Sequence, residues 1–455
     1  MNKPLYRILC LLTMLFFVLI FVQEQWHPFP VKPLNGVTEA TPRPQASMEG
    51  FRSGELQDGM EQYSREHFGF REYFIRAYNQ YLWDFHKQTD VQSILIGKKH
   101  YLYNTDFIED YQGVLWKRYT PDFQTLENNL LREARRLRKL QDLLAERGKL
   151  LFVLMEPSKV RVYPEYLPDD IVSPEGNLTA ADLYPAIFDS LGVNYLNVDR
   201  WFQSVKDSVP YPLYPQFGTH WSNLAALHAT DSILGYMEKK SHSALPRLAI
   251  SDILYDTTMV PDDDLEKLLN LAWANHEKPN LYAPYEIVSD SNTAHPSWLV
   301  IGDSYFWNIA YHIKLDQIFS QHHFWYYNSS VFYDPAHTNT REVDLYDELM
   351  QADIVTVAYC TANLYAMSNM FSAKALVSLC HSQEEIDQVL NGIKESMRNT
   401  PEWLEALQGK ADAKGQSLDA VMQDDAEYML YMNVEDYFPL SSFNTPSTST
   451  TKLSR

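Results

Sequence analysis

Cysteine is scarce: the 455 residues include three, Cys10, Cys360 and Cys380. Three thiols cannot make the disulfide framework of a small secreted scaffold. Their spacing to histidine resembles no zinc site. Cys10 lies in the apolar N-terminus, and Cys360 and Cys380 are expected to be free, buried thiols. Basic residues are also in deficit. With 38 Lys and Arg against 59 Asp and Glu, the formal net charge is −21. That excludes broad nucleic-acid binding, which needs a basic footprint. A local patch could still meet an anionic glycan. No repeat of solenoid period occurs.

What is present fits a large soluble globule with one apolar appendage. Hydrophobic residues make up 45% of the chain, and mean hydropathy is −0.34. The length suits one large α/β domain or two ordinary ones. The 30 tyrosines and 10 tryptophans serve either as packing or as ring faces for sugars.

Leu5 to Val22 is apolar apart from Arg7 and Thr13. Lys3 and Arg7 mark the cytoplasmic side, so the remainder is expected outside the cytoplasm. The following Phe21-Val22-Gln23-Glu24-Gln25-Trp26 is too bulky for a signal-peptidase site. Residues 1–24 therefore read as an uncleaved, single-pass signal anchor. Residues 25–90 read as a proline-rich linker followed by a juxtamembrane helix over 54–88. Residues 91–380 form the main domain, 381–436 a C-terminal helical segment, and 437–455 a Ser/Thr-rich disordered tail.

Within the main domain, Ser93 to Tyr103 reads as two short strands around a turn. Thr120 and Pro121 read as N-cap and N1 of a long helix closed by Gly148. Leu150 to Met155 is a strand buried on both faces. A helix near 179–190 follows, then a strand near 193–198 and a helix from Ser222 to about Lys239. Trp298 to Ile301 is a strand, 307–319 a helix, and Asp353 to Tyr359 another strand. This alternation predicts an α/β fold: a doubly wound parallel sheet with flanking helices.

The strand Trp298 to Ile301 runs into Gly302-Asp303-Ser304, where open α/β sheets bind ligands. Gly302 permits a tight turn. Ser304 would start the next helix, with its hydroxyl and N–H facing the crevice beside a helix N-terminus. Alone, such a turn is as well explained by a serine N-cap. Gly218-Thr219-His220-Trp221-Ser222 also opens a helix, and a serine nucleophile needs a base. Together they nominate Ser304 as nucleophile and His220 as general base. No metal or cofactor is called for.

Several stretches in order carry a resemblance. They are Glu66-His67-Phe68-Gly69-Phe70-Arg71; Ile96-Gly97-Lys98-Lys99-His100-Tyr101-Leu102-Tyr103; Glu156-Pro157-Ser158-Lys159 with Tyr163-Pro164-Glu165-Tyr166-Leu167-Pro168; Thr219-His220-Trp221; and Gly302-Asp303-Ser304-Tyr305. Over roughly residues 30–380 the chain resembles the alginate O-acetyltransferase family, with its SGNH-hydrolase-like domain. The resemblance implies an acetyltransferase in the inner membrane, its domain in the periplasm, acting on an exported polysaccharide. It also implies a membrane-bound O-acyltransferase partner that supplies acetyl groups. Ser304 and His220 take the catalytic positions. The family's triad acid lies two residues before the histidine, where this chain has Gly218. Asp303 is the nearest substitute by sequence, although its position suits a structural role better. Trp221 and Tyr305 are candidate substrate contacts, with Arg71 and Lys159 as weaker ones. A glycan esterase and a non-catalytic glycan-binding protein are the competing readings.

Overall fold

The computed structural model of the chain describes residues 3–36, 41–173, 176, 179–256, 263–273 and 280–443. Its centre is a six-stranded sheet. In chain order the strands are β1 (Leu150–Glu156), β2 (Tyr195–Asn197), β3 (Ser297–Gly302), β4 (Gln321–Tyr326), β5 (Ser330–Phe332) and β6 (Ile354–Cys360). Their spatial order is β5-β4-β3-β6-β1-β2. All neighbours are parallel except β4 and β5, which form an antiparallel edge. The fold is α/β, a mixed, mainly parallel sheet flanked by helices.

Side-chain alternation explains why these runs are apolar throughout. Leu151, Val153 and Met155 of β1 enter one core, together with Leu299, Ile301, Val355 and Val357. Phe152 and Leu154 enter the other, with Trp298, Val300 and Ala358. Successive residues of a strand point to opposite faces, so a sheet covered on both sides needs hydrophobes at every position. Each such fully buried side chain stabilises the fold by roughly 1.5–3 kcal/mol.

Helices Phe123–Ala145 and Ala180–Leu191 cover the first face, and Val198–Val205 and Asn223–Ser241 the second. The long helix is capped by Asp122, whose carboxylate accepts from Thr125 N–H at 2.7 Å, rather than by Thr120. Ser222, read from sequence as the first residue of its helix, is instead the N-cap of Asn223–Ser241. The predicted helix over 54–88 is broken into Glu55–Glu66 and Arg71–Tyr81, with Phe70 left-handed at φ 66° between them. The helix after Ser304 is short, Phe306–His312, and gives way to a turn at Leu315–Gln317.

The C-terminal helices Gln383–Arg398, Pro401–Lys414 and Leu418–Met432 do not make a separate core. Ile386, Leu390, Val421 and Leu430 join the hydrophobic cluster on the first face of the sheet. Arg136 of the long helix fixes them further through paired bonds to the Glu435 carboxylate, 2.6 and 2.5 Å. The expected disordered tail starts too early. Phe438 and Phe443 are buried, and His381 stacks on Phe438 at 4.1 Å; residues 444–455 lie outside the described residues.

Among the described residues one helix, Lys3–Trp26, is long and apolar enough to cross a membrane. Its 24 residues span about 36 Å at the α-helical rise. Cys360 and Cys380 are free thiols, the first fully buried and the second partly so.

Candidate active site

The carboxyl ends of β1, β6 and β3 lie side by side in the sheet. Strand β3 ends at Gly302, and Ser304 stands just beyond it. Gly302 is required by crowding, not by an unusual φ: a Cβ there would lie 2.6 Å from the Ala358 carbonyl oxygen of β6.

His220 meets the serine from the loop ahead of helix Asn223–Ser241. Its Nε2 is 2.9 Å from Ser304 Oγ. Its other ring nitrogen, Nδ1, is 3.1 Å from Asp264 Oδ2. Ser304, His220 and Asp264 thus form one hydrogen-bonded line. They open into a cavity of about 440 Å³ that Asp106, Tyr119, Tyr327 and Asn363 also line.

Asp264 is the residue that sequence reasoning missed. It begins the short helix Asp264–Leu268, seated by Leu265 and Leu269 in a small core with Trp83, Leu102 and Phe217. The Leu265 and Glu266 N–H groups donate to the Phe217 carbonyl at 3.1 and 3.2 Å. The Asp264 carboxylate in turn accepts from Thr219 N–H at 2.7 Å, beside His220. Burial alone would raise its pKa. The hydrogen bond and charge of His220, the Thr219 N–H and the Lys159 charge outweigh burial and hold it below the ordinary carboxylate value. The segment is also tied to the residues that follow the apolar N-terminal helix. Asn79 donates to the Leu269 carbonyl at 2.7 Å, Asn35 N–H donates to Asn270 Oδ1 at 2.8 Å, and Arg76 reaches the Leu271 carbonyl at 3.4 Å.

Asp303, the acid nearest in sequence, does not face His220. Its carboxylate accepts from Tyr305 N–H (3.0 Å), Cys360 N–H (2.9 Å) and Asn363 Nδ2 (2.7 Å). It therefore ties the serine turn to the end of β6 and aims Asn363 at the cavity. Glu156, at the end of β1, is fully buried near it. Burial first and the Asp303 charge second push the Glu156 pKa well up. Burial likewise raises the Cys360 thiol.

Trp221 and Tyr305 are not placed as substrate contacts, for both are buried in the core. Trp221 Nε1 donates to the Tyr305 carbonyl (3.0 Å), and Tyr305 OH donates to the Thr219 carbonyl (3.0 Å). Asn308 Nδ2 donates to the Trp221 carbonyl at 2.9 Å. The helix after the serine thus grips the histidine loop on both sides of His220.

Lys159 is likewise buried. Its ammonium donates to the carbonyls of Leu102 (2.8 Å), Gln216 (2.9 Å) and Gly218 (2.9 Å), and burial drives its pKa well down. It holds the histidine loop from behind. Arg71 opens helix Arg71–Tyr81, where its Nε donates to the Arg65 carbonyl at 3.1 Å, and it does not line the cavity.

Residues 115–320 match the family described as SGNH hydrolase-like domain, acetyltransferase AlgX. Over those residues the chain is similar to this family. Among solved structures, it is similar to the O-acetyltransferase domain of Pseudomonas putida AlgJ at 13% identity and TM-score 0.39, covering 60% of this chain and 92% of that one. Pseudomonas aeruginosa AlgX follows at 15% and 0.33, covering 59% and 55%. Bacillus cereus PatB1 gives 14% and 0.33, covering 52% and 91%. Comparison with curated proteins gives no match. At these identities no residue role is carried across from the neighbours.

Proposed function

We infer that the AlgX-like chain is a membrane-anchored O-acetyltransferase that moves an acetyl group through Ser304 to a hydroxyl of an exported polysaccharide. The observation that supports this most is the Ser304–His220–Asp264 line, at 2.9 and 3.1 Å, opening into the cavity. The family match adds the acetyltransferase class. The apolar helix Lys3–Trp26 would supply the anchor, with the domain outside the cytoplasm. The donor would be an activated acyl ester or thioester, delivered by a membrane-bound acyltransferase partner.

Ser304 Oγ attacks the acyl carbon while His220 Nε2 takes its proton. Asp264 holds the Nδ1–H tautomer and stabilises the imidazolium as it forms. The Ser304 backbone N–H would receive charge on the acyl oxygen, while the Asn363 amide in the same cavity is held by Asp303 and Tyr327. The bond to the donor's leaving group breaks, and that group departs with the proton from His220. A sugar hydroxyl then gives its proton to His220 and attacks the acyl-serine. The acyl–Oγ bond breaks, and Ser304 regains its proton.

The test uses the full chain in detergent with p-nitrophenyl acetate, with and without oligosaccharide. Mass spectrometry should find acetyl on the Ser304 peptide and then on sugar. Ser304→Ala should abolish both. Acetate release without any transfer to sugar would make the protein an esterase. Absence of acetyl-Ser304 would sink the serine mechanism.

A further inference from the structure

Two features of the cleft narrow the acceptor. The first is charge. The cavity at Ser304 is lined by the carboxylates Asp106 and Asp264 and, among the described residues, by no Lys or Arg. Arg118, the guanidinium at Asp106, is already paired at 2.7 Å with Asp106 and at 2.5 Å with Glu109. Lys159 is occupied by three carbonyls behind the histidine loop. A sugar carboxylate entering here would compete with Asp106 and Glu109 for the one Arg118 guanidinium and would add to the charge of Asp264, and like charges at close quarters disfavour binding.

The second is a ring platform. Tyr119 is 61% exposed and lines both the cavity at Ser304 and a neighbouring cavity of about 340 Å³. Its ring stacks on Tyr365, with centroids 6.1 Å apart and planes 20° from parallel. Tyr365 is fixed from below, where its hydroxyl donates to buried Asp110 at 2.8 Å. The second cavity continues along the long helix to the exposed Tyr428 of the C-terminal helices, with Asn129 and Asn369 as polar edges. Its two basic residues, Arg132 and Arg136, are matched by two acids: Arg136 is held by Glu435 with Glu133 beside it, and Arg132 donates to Asn129 at 3.0 Å within the field of Glu435. Rigid aromatic faces flanked by amide groups suit the apolar faces and hydroxyl edges of pyranose rings.

We propose that the acceptor is an uncharged glycan chain, not a polyuronate. It crosses the Tyr119–Tyr365 pair, so that one sugar hydroxyl reaches Ser304 while further rings occupy the neighbouring cavity. This rests on the acyl-serine reading above.

The test compares oligosaccharides of one length as matched pairs, a uronic-acid oligomer and its carboxyl-reduced neutral counterpart, built on glucose, mannose and galactose rings. The purified full chain is first acetylated with p-nitrophenyl acetate, and acetyl-Ser304 is confirmed. In at least one pair the neutral oligomer should be acetylated about tenfold faster than the uronate. The wild type should prefer a hexasaccharide to the monosaccharide. Tyr119→Ala should reduce that preference about tenfold, and Tyr119→Phe should restore it. Uronates accepted as well as or better than their neutral partners would overturn the charge assignment. A chain-length preference unchanged in Tyr119→Ala would overturn the ring platform. If acetyl-Ser304 forms and no oligomer accepts it, the acceptor inference falls and the serine mechanism stands. If acetyl-Ser304 never forms, both fall.

Discussion

Replacing Asp264 with Asn tests the least expected member of the site. Its carboxylate accepts from both His220 Nδ1 and Thr219 N–H. With charge centres about 4 Å apart and an effective dielectric constant of about 20, an imidazolium and a carboxylate attract by roughly 4 kcal/mol. Asp264 is half-buried, so solvent reduces this to about 2 kcal/mol, or some 30-fold in rate. The amide has a second effect. With its oxygen kept on Thr219 N–H, its NH₂ faces Nδ1 and favours the tautomer that has a proton on Nε2, which cannot take one from Ser304. That adds roughly 1–2 kcal/mol. The expected total is a 100- to 1,000-fold slower acylation, about 3–4 kcal/mol, in a protein that still folds. The assay is the burst of p-nitrophenol together with the rate at which acetyl-Ser304 appears. A burst within about threefold of wild type, in a variant with unchanged circular dichroism, would refute the assignment of Asp264 as the orienting acid.

Other consequences follow from the buried groups. Lys159→Met leaves three carbonyls without their ammonium. The loss should be about 3–5 kcal/mol of stability, seen as a lower melting temperature, with a weaker burst because the histidine loop is released. Burial lifts the Asp110 carboxyl to about 7, against an ordinary value of 3.8. The fold therefore favours its protonated form. That contribution is complete below about pH 4 and is lost as pH rises to about 7, a change on the order of 4 kcal/mol. Asp110→Asn keeps an acceptor for Tyr365, so it should match wild type near pH 4 and exceed it in stability at pH 8, as read by denaturant melts at both.

Ser304 and His220 were legible because each sits where a strand or loop turns into a helix, a signal carried by neighbouring residues. The sheet was legible for the same reason, since β1, β3 and β6 are continuous apolar runs. Strand β4 escaped because Gln321-His322-His323 begins it with polar residues, although Phe324-Trp325-Tyr326 is rich in strand formers. Asp264 is one of 59 acidic residues, and only tertiary contacts bring it to His220. The one local signal, an acid in the first turn of a short Leu-rich helix, is too common to single it out. Trp221 and Tyr305 misled because each adjoins a candidate catalytic residue. Adjacency in sequence sends the next side chain elsewhere, here into the core.

The bonds from Asn35, Arg76 and Asn79 to residues 269–271 bear on where the gene can be cut. A soluble fragment started at the main domain would keep the sheet, the serine and the histidine, yet lose the stretch that seats the acid. On the proposed mechanism, such a fragment would report the Ser304–His220 pair without Asp264 held in place. The useful boundary lies between the apolar helix and Lys32, so that the linker and helix Arg71–Tyr81 travel with the domain that carries Ser304, His220 and Asp264.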